Sequence, residues 1–143
     1  MSKDSRQSPC NYFALRQATR AVSVLYDRHI EKAGITSPQY SILRAIHNHP
    51  GITMQELAET MVMDRTAALR ALQPLTRNGL VLQAPAPDLA RKQSLTLSEA
   101  GQAKLAEAEV HWRRAQEEFE SSVGKDEAAA LRKALLGLTG QIT

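Results

Sequence analysis

Residues 53–81 read TMQELAETMVMDRTAALRALQPLTRNGLV, and the organisation of the chain is decided by where that stretch breaks. Thr53 followed by Glu56 is a capping-box signature, opening a short helix predicted to run through Met61. After a turn at Val62-Met63-Asp64, Asp64 is the N-cap of a second helix, which ends at Asn78-Gly79 where glycine supplies a left-handed terminus. On that helix Thr66, Arg70, Gln73 and Arg77 recur at spacings of four, three and four and share one face, with Leu69, Leu72, Leu75 and Ala68 assigned to the other. Short helix, turn, longer helix is the helix-turn-helix outline. A helix buried on one side and carrying hydrogen-bonding side chains on the other fits a major groove. Arg donates twice to guanine, Gln pairs with adenine, and Thr serves either or meets a thymine methyl. A solvated face accounts for the same spacing equally well. Pro74 lacks an N–H and predicts a bend in this helix.

The residues beyond Gly79 decide between the groove-reading and the solvated face. Leu80-Val81-Leu82 and Ser94 to Leu97 are short β-prone runs flanking a loop that contains Pro85, Pro87 and Asp88, the pattern of a hairpin. Arg91 and Lys92 stand near its tip. A basic hairpin directly after a groove-reading helix is placed to reach phosphates or the minor groove. Charge is distributed to match: residues 64–92 hold five basic and two acidic side chains, whereas 93–143 hold six and eight. A polyanion should therefore meet the middle of the chain.

The flanks read as helices. From Asn11 to Lys32 there is no Pro or Gly, and Gly34 ends the run. Thr36-Ser37-Pro38-Gln39 is a further capping box, with the helix behind it predicted to end near His47, before the breaker His49-Pro50-Gly51. Ser98 caps a long helix to about Ser122, on which Leu105, Trp112 and Phe119 lie seven apart beside a row of Ala108, Ala115 and Ser122, a stripe that requires a partner helix. The last helix, from about Lys125, lines up Leu131, Leu135, Leu138 and Ile142.

The 143 residues suffice for one domain with a real core, and no apolar run is long enough to cross a bilayer, so no membrane partner is expected. The polar N-terminus has no signal-peptide core, which predicts a cytoplasmic protein. Cys10, the single cysteine, has no internal disulfide partner. His29, His47, His49 and His111 do not form a ligand set with metal spacing, and no phosphate loop or nucleophile elbow is present. No metal, no cofactor and no catalytic residue are expected.

The stretch Leu57-Ala58-Glu59, Asp64 through Arg70, and Leu75 through Val81 resembles the helix-turn-helix of the MarR family of bacterial regulators. Thr36 through Tyr40 and Leu97 through Gly101 are similar to that family's second helix and wing closure, so the likeness runs from Cys10 to the end. It implies a mainly α fold with a small β-hairpin wing, a single domain over 1–143. Residues 10–34 and 98–143 would be dimerisation helices, and 36–97 the winged helix-turn-helix. It implies a homodimer on a pseudo-palindromic operator in double-stranded DNA, a repressor released by a small ligand. The DNA contacts would be Arg65, Thr66, Ala67, Arg70, Gln73, Arg77, Arg91 and Lys92. Tyr12, Tyr26 and Tyr40, on the first two helices, are candidates to hold a small aromatic effector, with core packing of all three as the plainer reading. One branch of the family senses peroxides through a first-helix cysteine, which makes Cys10 a redox candidate, although it stands three positions from the matching residues. The wing also departs from the family's pattern, with Leu89 where an aspartate two residues before Arg91 is typical. A helical ligand-binding dimer without DNA binding, and a small helical enzyme, are the rival readings.

Overall fold

The computed structural model describes residues 8–85 and 93–143. In chain order the elements are α1 (Asn11–Ile30), a 3-10 turn (Glu31–Ala33), α2 (Ser37–Asn48), β1 (Ile52–Thr53), α3 (Met54–Thr60), α4 (Arg65–Arg77), β2 (Val81–Pro85), β3 (Gln93–Leu97), α5 (Glu99–Val123) and α6 (Lys125–Ile142).

Local side-chain chemistry sets the helix starts. The Thr36 hydroxyl accepts from the Gln39 amide at 3.3 Å while Gln39 accepts from the Thr36 N–H at 3.0 Å, closing the box before α2. Thr53 accepts from the Glu56 amide at 3.1 Å, but the Glu56 carboxylate takes the Thr53 hydroxyl at 2.9 Å, so half of that expected box is made. Asp64 caps α4 through the Ala67 amide at 2.8 Å, and Ser98 caps α5 through Gly101 at 3.0 Å. Helix α4 continues through Pro74 to Arg77 as one element.

The wing has a strand more than the hairpin reading gives. β1 pairs antiparallel with β3, Ile52 opposite Leu95, and the sheet order is β1-β3-β2. Two residues are too few to show an alternation.

The core gathers Ile30 of α1, Ile42, Leu43 and Ile46 of α2, Leu57 of α3, Leu72 and Leu75 of α4, and Leu95 of β3, each almost fully buried. The stripe on α5 finds its partner inside the chain: Leu105, Ala108 and Ala115 are buried, and α5 packs along α1. Trp112 stacks on Tyr40 of the same chain, ring centres 6.2 Å apart. Arg28 and His29 of α1 converge on Glu118 of α5 at 2.6 and 2.9 Å. The His29 hydrogen bond first, then that of Arg28, holds the Glu118 carboxyl below its ordinary value.

Val62, in the turn between α3 and α4, has φ 53° and is the one non-glycine residue with positive φ among the described residues. A β-branched side chain is costly there, and with 57% of it exposed little packing compensates. Val62→Gly should raise stability by about 1 kcal/mol, the relieved strain outweighing the extra freedom of the unfolded chain. Thermal melting checks this, and a lower melting temperature would show that the turn is unstrained.

Candidate nucleic-acid interface

Helix α4 is held from behind. Ala68, Leu72 and Leu75 enter the core, the Leu80 amide bonds the Leu75 carbonyl at 2.9 Å, and Gln83 of β2 donates to the Thr76 hydroxyl at 3.3 Å. One side of the helix is thus committed to the protein. On its other side Thr66, Arg70, Gln73 and Arg77 are exposed and Ala67 is half-buried, while Arg65 is exposed in the first turn, above the core side. Among the described residues none of those five exposed side chains forms an ion pair or a side-chain hydrogen bond with another. Two guanidinium groups, an amide and a hydroxyl on one rigid face, with Arg65 projecting from the first turn beside them, can donate and accept along a base-pair edge.

Leu69 does not belong to the buried face, as its spacing to Leu72 and Leu75 predicts; it is 43% exposed. The core stripe is Ala68, Leu72 and Leu75, and Leu69 stands about 60° off Leu72 around the helix, at the edge of the polar face. Arg91 and Lys92 lie outside the described residues, as does the Leu89 position. The strands leading to them are set: Val81 pairs with Leu97 and the ladder runs to Pro85 opposite Gln93.

A second feature is a cleft of about 640 Å³ between α1, α2, the end of α3 and α5. Tyr26, Tyr40, Arg44, Glu109 and Trp112 line it. Arg44 lies over the Tyr40 ring at 5.6 Å from its centre, donates to its hydroxyl at 3.0 Å, and stands 3.4 Å from Glu109. The buried Ser37 hydroxyl, also in the lining, has no hydrogen-bond partner among the described residues. Tyr26 donates to Gln116, and burial foremost, with the Glu120 charge, raises its pKa. Two of the three tyrosines singled out from sequence therefore meet at one cleft. Tyr12 does not, being 71% exposed at the start of α1. Arg44 and Glu109 carry little sign of this role in the sequence, where the four-residue step from Tyr40 to Arg44 is the one local signal.

Cys10 is exposed at the N-terminus of α1, its backbone N–H bonded to Ser8 at 3.2 Å. His29 is engaged by Glu118 and His47 by Gln102. Among the described residues no three His, Cys, Asp or Glu side chains assemble for a metal ion, and no helix is long and apolar enough to cross a membrane. Helix α6 leaves an apolar face uncovered, with Leu131, Leu135, Leu136 and Ile142 all exposed.

The sequence profile of the MarR family matches residues 33–92. The structure is similar to that of the transcriptional regulator MosR of M. tuberculosis in complex with DNA, with TM-score 0.82 and 32% identity over 92% of this chain and 95% of that one. It is similar also to the transcriptional repressor CouR bound to a 23-mer DNA duplex, with TM-score 0.86 and 25% identity over 96% and 98% of the two chains. A protein put forward as the transcriptional regulator of the hcr operon in Thauera aromatica is 28% identical over 127 residues, 88% of this chain and 74% of that protein. A profile match over the winged segment, joined to 32% identity along nearly all of MosR, goes beyond shared architecture: the chain belongs to the MarR family.

Proposed function

We propose that the protein is a cytoplasmic homodimeric repressor. It binds a pseudo-palindromic operator in double-stranded DNA through α4 and the wing, and it is released by a small aromatic effector. It acts by binding and not by catalysis. The observation that carries the reading is the exposed polar face of α4 on a fully buried support. The DNA complexes of MosR and CouR support it by kinship. The open face of α6 supports the dimer and the division of labour between residues 10–34 with 98–143, which join two copies, and 36–97, which meet DNA.

Arg65, Thr66, Ala67, Arg70, Gln73 and Arg77 enter the groove, with Arg91 and Lys92 on the adjacent backbone. Arg70→Ala should cost about 1–3 kcal/mol on the operator and relax selectivity at one base pair. Lys92→Ala should weaken all duplexes alike and lower the salt slope by about one. Equal losses on operator and random DNA for both variants would contradict the assignment.

The effector occupies the cleft of Tyr26 and Tyr40, where apolar walls and the Arg44–Glu109 pair offer stacking together with hydrogen bonds. The cleft lies between the DNA-reading segment and α1 with α5, so an occupant that fits one spacing of the two α4 helices better than another shifts the dimer away from DNA. Coupling of about 1–3 kcal/mol would weaken operator binding roughly 5–150-fold. Titration of salicylate-like phenols against the bound operator tests this. If phenols leave affinity unchanged while mild peroxide releases wild type but not Cys10→Ser, the signal is oxidation at Cys10 and the cleft has no such role.

A further inference from the structure

We infer that Leu69 reads DNA directly, its side chain meeting the C5 methyl group of a thymine in the major groove. The inference rests on α4 being the DNA-reading helix and adds to it a contact of a different kind. Leu69 is 43% exposed, three residues after Thr66 and four before Gln73, so it stands beside both on the helix surface. Arg65, four residues earlier, and Thr76, seven residues later, lie along the same side. Thr76 is bonded to Gln83 of β2, which places Leu69 on the wing side of the polar face.

Chemistry then selects the target. Leucine has no donor or acceptor, so it gains nothing from guanine, adenine or cytosine edges and would strip water from them without replacing their hydrogen bonds. Thymine alone offers an apolar group to the major groove. Long helical side chains lean toward the N-terminus, which brings the Leu69 methyls over the first turns of α4, the part of such a helix that meets base edges. A leucine held in water in the free protein and covered by a methyl group in the complex is therefore worth selectivity for A·T at one position of each half-site.

The test uses the full-length protein. Its operator is first selected from random duplexes, and each thymine is then replaced singly by deoxyuridine, which removes the C5 methyl and nothing else. Wild type should bind about fourfold more weakly when one particular thymine of a half-site is replaced, the worth of one buried methyl. Leu69→Ala should be weaker on the unmodified operator and indifferent to that replacement, while Leu69→Met should keep the penalty. Circular dichroism should match wild type, since the side chain is outside the core. A wild type that binds its operator but ignores every thymine replacement, or a Leu69→Ala variant with the full penalty, overturns the role of Leu69 and leaves DNA binding intact. If wild type enriches no duplex, DNA reading by α4 itself fails and this contact falls with it.

Discussion

Gly101→Ala should cost about 3 kcal/mol of stability and lower the melting temperature by about 10 °C, the largest effect expected of a single methyl group in this chain. Gly101 is buried in the first turn of α5, where its amide donates to the Ser98 hydroxyl that caps the helix. A Cβ there would fall onto the carbonyl oxygen of Leu80, with the Leu80 carbonyl carbon 3.0 Å and the Leu97 Cβ 3.3 Å away. The obstruction is backbone, which does not swing aside as a side-chain tip would. The same carbonyl also receives the Ser98 N–H at 3.1 Å, so moving it breaks the joint between wing and α5. Thermal melting checks this. An unchanged melting temperature would mean that α5 slides without cost and that its seat on the wing is loose.

Placing two charges on α6, Leu131→Glu with Leu135→Glu, should split the dimer and weaken operator binding by roughly 100-fold or more, because joining two half-site readers multiplies affinity by about 10²–10⁴. Both side chains are exposed within one copy, at 43% and 40%, so each copy should still fold. In an interface they would leave carboxylates buried without partners. Sedimentation gives the oligomer and a labelled operator gives the affinity. A variant that stays dimeric with wild-type affinity would show that the copies meet elsewhere.

The parts of the fold that were legible in the sequence are those decided locally. Thr36 with Gln39, Asp64 with Ala67 and Ser98 with Gly101 are bonds between residues three apart, and the residue types announce them. Leu69 was misassigned because 69-72-75 looks as regular as 68-72-75 on paper. At 3.6 residues per turn the second set tracks the core, and which of them does so depends on what α4 rests on. The stripe on α5 holds from Leu105 to Phe119 and lapses at Ser122, which is exposed near the helix end, and a repeat says nothing of whether its partner comes from α1 of the same copy or from another. The cleft was half legible. Tyrosines advertise amphipathic walls, whereas the meeting of Arg44 with Glu109 spans 65 positions of sequence and arises only when α2 lies against α5. Tyr12 shows the converse, a candidate by residue type whose helix end carries it away from the others.

The most direct measurement of the central claim is selection of bound duplexes from a random library by the full-length protein, followed by the stoichiometry of the complex on the enriched sequence. A palindromic sequence bound by one dimer is expected, its half-sites about one helical turn apart, because two symmetry-related α4 helices enter successive major grooves. Affinity for it should exceed that for random DNA by at least about 10³-fold at physiological salt. Equal binding to every duplex, or none, would contradict it.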